Sequence, residues 1–301
     1  MKITAIRSDA VYAKMAAAPG PEKERLYRAE LMRPFAFKWQ CLGVPLEAEN
    51  GGYDAAAASA AAGCYHPSQI TPEHLGEIGL LHDDRFWQRC EKSIRDTLEG
   101  FERNGISLPV QEYCFTILLG DPESPMAALT GDYCGDGGIP GFLTGTIIPN
   151  ENSLKMLPAA LAHEANHNVR WQFLQWGPQV TLADMLVCEG LAENFAAMMF
   201  GPGSVGPWVK NTSGETLERV IKPAVRAHLQ ENDFQRLSAY LYGDEVTALR
   251  GGAPVGMPHC AGYACGYALI RHYLEKTGQS IYAATVLPAA DILKAAEDFW
   301  R

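Results

Sequence analysis

The apolar positions of this chain change their period twice. Over residues 84–104, Phe86, Ile94, Leu98 and Phe101 recur at helical spacing and Asn104-Gly105 closes the run, so a packing helix is predicted there. Upstream lie a short apolar start at 3–6, a charged, helix-compatible stretch at 22–40, an alanine-rich segment at 55–63 and a helix-start signal at Thr71-Pro72-Glu73. Residues 113–119 are then apolar and partly β-branched, and 142–148 read the same way. The pattern predicts two strands separated by the loop GDYCGDGGIPG. Beyond Pro149 the period is helical again, with helices expected over 154–176, 181–200, 214–231, 260–276 and 289–300. This order implies an α+β fold, a small mixed or antiparallel sheet packed on a mainly helical C-terminal region. Residues 1–110 are read as a mainly helical N-terminal extension covering one side of a cleft, and 111–301 as the domain that carries the chemistry.

Composition narrows the function classes. With 301 residues, 47% of them hydrophobic, the chain can bury a substantial core. A net charge of -10 without basic clusters argues against nucleic acid or an anionic membrane as partner. There is no apolar run of signal-peptide or membrane-span length, and the eight cysteines are scattered without a CxxC pair. A cytoplasmic protein with reduced thiols is the expectation.

The strongest chemical signal is His163-Glu164-Ala165-Asn166-His167, an HExxH match. Residues four apart share one face of a helix, so both imidazoles can bind one zinc ion, while Glu164 sits about 100° round, near a metal-bound water. Leu157, Leu161, Val169 and Phe173 supply the apolar positions of that helix, which Gly177-Pro178 is expected to end. Thr181 and Asp184 look like an N-cap pair opening the next helix, giving a short-looped antiparallel hairpin. Counting about 1.5 Å per residue from the turn, Glu189 falls level with His167 and Glu193 level with His163. Two carboxylates on one face of an otherwise apolar helix are costly to bury without a cation or donors. Glu189 is therefore assigned as third metal ligand, and Glu193 as acceptor of a hydrogen bond from the distal nitrogen of His163. The exchange of these two roles stays open, and a solvated acidic stripe is the ordinary alternative.

The segments HEANHNVR, EGLAENFA and GYACGYALIRHYLEKTG resemble the YjaZ-like domain of predicted zinc-dependent peptidases, whose HExxH…ExxxD/E logic is similar to gluzincins. The resemblance covers about residues 140–280 and gives 1–110 no counterpart. It implies a gluzincin-like fold, Zn2+ as cofactor, His163, His167 and Glu189 on the metal, Glu164 as base, and a peptide or protein as substrate. The interval from His167 to Glu189 is slightly longer than in thermolysin-type enzymes. A metzincin is excluded, because its motif requires Gly at 170 and His at 173, where Arg170 and Phe173 stand. The resemblance also points to the GYxxGY stretch for stabilising the oxyanion, with Tyr263 favoured over Tyr267 and His259.

GDGGIPGFLTGTIIP is readable as an edge strand that adds an extended peptide, or as a plain hairpin. Asp132 and Asp136 lack EF-hand spacing. Two rival functions remain beside the zinc peptidase: a metallohydrolase of a non-peptide amide, and a non-catalytic ligand- or partner-binding protein on a gluzincin-like fold.

Overall fold

Both predicted strands are present, and two further segments join them. In the computed structural model, which describes residues 1–48 and 52–301, the strands are β1 (Lys2–Ile6), β2 (Glu112–Leu119), β3 (Tyr133–Asp136) and β4 (Phe142–Ile147). The helices that matter most for the site are α1 (Asp84–Arg103), α2 (Glu151–Phe173), α3 (Leu182–Phe200), α4 (Phe234–Tyr242) and α5 (Ala261–Thr277). The fold is α+β. The chain divides into two compact units, Met1–Asp96 with Pro109–Asn168 and Thr97–Leu108 with Val169–Arg301, and two of the three divisions fall inside α1 and α2. No helix among the described residues is long and apolar enough to cross a membrane.

The first unit carries the sheet, in the order β1-β2-β4-β3. β1 and β4 both run parallel to the central β2, and β3 closes the edge antiparallel to β4. The sheet is thus mixed. β2 is buried along nearly its whole length, as its continuous apolar run requires of a strand covered on both faces. β4 alternates instead, with Leu143, Gly145 and Ile147 on the buried face. Helix α2 packs there, for a Cβ on Gly145 would lie 3.2 Å from Leu157.

The glycine-rich loop expected over 131–141 differs from the structure, since β3 runs through it with Gly135 paired to Gly145. Its four residues are too short, and too rich in Gly and Asp, to show a period of two. The helix expected over 154–176 is displaced three residues toward the N-terminus. Asn150 and Ser153 each accept the other's backbone N–H through a side-chain oxygen at 2.9 Å, a reciprocal cap that starts the helix at Glu151. Pro158 is tolerated inside it, and its carbonyl accepts from Ser93 Oγ of α1 at 2.5 Å.

The second unit is helical. Thr181 and Asp184 form the predicted capping box of α3. The helix expected over 214–231 is broken instead, into Gly214–Thr216, a π turn at Leu217–Ile221 and Lys222–Ala227. The wider turn makes room for the Pro223 ring, which would meet the carbonyl four residues back in a regular helix. Pro34 follows the π turn Tyr27–Met32 in the first unit in the same way. Helices α4, Asp244–Leu249 and Ile281–Thr285 had no counterpart in the sequence reading, being too short to show a period.

The core of this unit has two parts. Phe101 and Phe195 stack at 5.4 Å, with Tyr282 edge-on to both. Helices α3 and α5 touch backbone to backbone, because a Cβ on Gly190 would lie 2.2 Å from the Gly266 carbonyl oxygen and one on Gly266 2.3 Å from that of Leu186. Neither helix can accept a methyl group there without separating. Gly190→Ala should therefore lower unfolding stability by about 1 to 3 kcal/mol, measured by denaturant titration. Gly203→Ala, which meets no atom within 4 Å, should stay within about 0.5 kcal/mol of the parent. Equal effects would remove the backbone contact as the constraint.

Candidate metal centre

The two histidines of HEANH lie in the second half of α2, where the helical repeat stacks one imidazole on the other. Their rings are 4.6 Å apart and nearly perpendicular. Glu189 on α3 completes a cluster in which each residue offers one ligand atom, and these atoms all lie within 4.8 Å of one another. His163, His167 and Glu189 are each less than a tenth exposed, and so are Glu164 and Glu193. The structure thus brings together the three residues assigned as ligands.

Glu164 is held from the sheet side by absent side chains. A Cβ on Gly135 would lie 2.3 Å from Glu164 Cγ, and one on Gly137 2.1 Å from the Glu164 carbonyl oxygen. Edge strand β3 and the turn after it can reach α2 only as glycine. Asn168, one residue past the motif and fully buried, ties the same loop down. Its amide nitrogen donates to the carbonyls of Gly137, Ile139 and Phe142, and its oxygen accepts from the Gly141 N–H. Three acceptors around one NH2 group include a shared proton, and together they fix the loop along the helix.

Asp136 ends β3 within the electrostatic reach of His167. Its side chain is half exposed; partial desolvation opposes ionisation, but the Lys38 ammonium at 2.8 Å and the Gly138 N–H hold its pKa below the ordinary carboxylate value. The Lys38 side chain is buried and also donates to Thr144 Oγ1 at 3.1 Å. A residue from the first 110 thus reaches the ends of β3 and β4. Asp132, the other acid of this loop, accepts from Asn150 Nδ2 at 3.0 Å.

Glu193 lies one turn beyond Glu189, and its two oxygens accept from the Trp208 indole N–H and from the Gly206 N–H at 3.2 Å. Gly206 admits the indole, which a Cβ there would overlap at 2.0 Å. On α5, Tyr263 is partly buried, with its ring 6.1 Å from Trp208 and 5.9 Å from Tyr242. Tyr267 lies one turn further along, where its carbonyl accepts from Asn194 Nδ2. His259 precedes the helix, its ring nitrogens 3.4 Å from Cys260 Sγ and 3.8 Å from Glu245 Oε2. Sequence reasoning passed over Lys38, Asn168, Trp208 and Tyr242, since a lone Lys, Asn, Trp or Tyr without motif spacing carries no signal.

Two nearby thiols are held in their protonated form. Burial first, then Cys64 and Glu164, push Cys134 up to about 12, and burial with Glu189, Glu193 and Glu245 does the same to Cys260.

Comparison with known proteins gives a family for the chain. A family model described as "Predicted Zn-dependent protease (DUF2268)" matches residues 86–294. The chain is 32% identical to "Uncharacterized protein YjfC" of Bacillus subtilis (strain 168), over 94% of each chain, so residues 1–110 also have a counterpart. It is 26% identical to "Uncharacterized protein YjaZ" of the same organism, over 46% of this chain and 49% of that one. No solved structure gives a significant match.

The cluster leads to a measurable expectation. Purified protein should take up one zinc ion per chain, and His163→Ala or His167→Ala should abolish high-affinity uptake, read by elemental mass spectrometry after dialysis. Imidazole ligates only when neutral, so affinity should weaken as pH falls through about 6.5. Uptake that survives both substitutions would place the metal elsewhere.

Proposed function

The chain belongs to the family described as predicted Zn-dependent protease, and from that premise we propose that it is a zinc-dependent peptidase hydrolysing peptide or protein substrates. The buried cluster of His163, His167 and Glu189 is the observation that carries the reading. Two imidazole nitrogens and one carboxylate oxygen are the donor set of a catalytic zinc, three protein ligands with a fourth position left open. Zinc held by them would supply a Lewis acid able to polarise a scissile carbonyl and acidify water.

The remaining chemistry belongs to the chain's own groups. Glu164 takes the proton of the attacking water and passes it to the leaving amine. Its close contacts with Gly135 and the Gly137 turn order it in advance, which lowers the entropy lost on reaching the reactive geometry. Glu193 is the carboxylate we assign to orient the His163 ring, with its own oxygens fixed by Trp208 and Gly206. Tyr263 is the assigned donor to the developing oxyanion, ahead of Tyr267 and His259. In this reading the catalytic logic is of gluzincin type, the protein is cytoplasmic, and neither nucleic acid nor membrane is a partner.

Glu164→Gln should retain one zinc per chain and lose turnover on a peptide library followed by mass spectrometry. Undiminished hydrolysis would remove Glu164 as base. Cleavage of small non-peptide amides without cleavage of peptides would shift the reading to the other metallohydrolase class. Between the acidic residues, Glu189→Ala should lose zinc outright, whereas Glu193→Ala should weaken affinity or activity about 10 to 100-fold, the usual effect of losing an orienting partner. The opposite ranking would exchange their roles.

A further inference from the structure

Lys38 sits in a charged stretch, where a lysine ordinarily faces water, yet its side chain is only 3% exposed. It belongs to the short helix Ala36–Cys41, and its neighbours show what draws it inward. The Phe35 and Phe37 rings both lie against Phe142, at 5.9 and 6.1 Å, which fastens this segment to the start of β4. From there Lys38 Nζ reaches Asp136 Oδ2 at 2.8 Å and donates to Thr144 Oγ1 at 3.1 Å. Asp136 and Thr144 are cross-strand partners in the β3–β4 register. One buried ammonium therefore ties the last residue of the edge strand to the strand beside it. All of these residues belong to the first unit.

What lies on the other face of β3 gives this tie its consequence. Side chains alternate across a sheet, so Asp136 and Thr144 share one face, and the paired Gly135 and Gly145 belong to the other. That second face is the one against α2, since a Cβ on Gly135 would lie 2.3 Å from Glu164 Cγ and 2.8 Å from Glu164 Oε1. A Cβ on Gly137 would lie 2.1 Å from the Glu164 carbonyl oxygen. Lys38 thus grips β3 from the face turned away from the HExxH helix, at the residue between the two glycines that meet Glu164. The strand has little stiffness of its own, being four residues long, paired on one side, and followed by Gly137-Gly138. A buried ammonium is strongly disfavoured without its counter-charge, which makes this pair a firmer tie than an exposed one.

We propose that Lys38 is a positioning residue for Glu164: by holding Asp136 to Thr144, it sets how closely the end of β3 stands against α2 and so keeps the Glu164 side chain ordered. This rests on the peptidase reading above, in which Glu164 is the base. Lys38 touches neither substrate nor metal in this scheme and works through the β3 backbone.

The test uses the full zinc-loaded chain and a library peptide that the wild-type protein cleaves. Lys38→Met keeps an unbranched side chain and removes the charge. It should lower kcat by about 10 to 100-fold, the scale of a small misplacement of a reacting group, with KM and one zinc per chain retained. Amide hydrogen exchange should show lost protection in residues 133–136, with α2 still protected. Asp136→Ala takes away the other end of the tie and should lower kcat to the same range, and the double variant should lose no more than the weaker single variant. Unchanged kcat in Lys38→Met would overturn the proposal, as would additive losses. A raised KM with kcat kept would place Lys38 in substrate binding, and loss of zinc would place it in metal retention; either overturns it. So would a lowered kcat with β3 protection intact. If the wild-type chain holds zinc and cleaves no peptide, the peptidase reading falls and this one with it; wild-type cleavage that Lys38→Met leaves undiminished sinks only the proposal.

Discussion

Five ionisable side chains, His163, Glu164, His167, Glu189 and Glu193, are each less than a tenth exposed, and keeping them inside is the constraint on which the rest of the structure depends. A buried charge is unfavourable by several kcal/mol unless paired or ligated. The nearby hydrogen bonds and ion pairs follow from that. Glu193 receives two N–H donors from the Gly206-Pro207-Trp208 turn, and the buried Lys38 ammonium pairs with Asp136. The His163, His167 and Glu189 ligand atoms converge within 4.8 Å, an arrangement a divalent cation favours.

Such a site must also exclude water, and here glycine does the packing. In the first unit Gly135 and Gly137 let a strand and a turn approach α2 more closely than any side chain permits. In the second, Gly190 and Gly266 do so where α3 meets α5, and Gly243 and Gly262 where α4 meets the start of α5. Glu189 directly precedes Gly190, and Tyr263 directly follows Gly262. These two contacts fix the backbone beside candidate site residues. Loop, strand and helix positions that look permissive in isolation are therefore tightly specified.

The first 96 residues are more than an added layer of helix. Lys2–Ile6 forms a sheet strand parallel to β2, and Lys38 reaches the end of β3. Neither was apparent in the sequence, because a five-residue strand has too few positions for its period and a lysine within a charged stretch looks solvated. Burial of Lys38 arises from what the sheet brings to it. Tyr242 is the same case from the other unit, an ordinary aromatic in a nine-residue helix until Gly243 turns the chain against residues 258–260.

The sequence by itself determined the α+β class, the two long strands, most of the long helices and the placing of His163 and His167 on one helical face. All rest on short-range rules: periods of two and 3.6, capping residues, and ligands four apart on one helix. Thr181 with Asp184 was legible for that reason, and so was the pairing of His163 with His167. The tertiary structure alone decided the mixed sheet order, the β3 strand inside a glycine-rich loop, the π turns before Pro34 and Pro223, and the partners of Glu193, Asp136 and Tyr263. Those depend on contacts between residues tens to hundreds of positions apart, and a side chain's spacing along its own element carries no trace of what the fold will set against it.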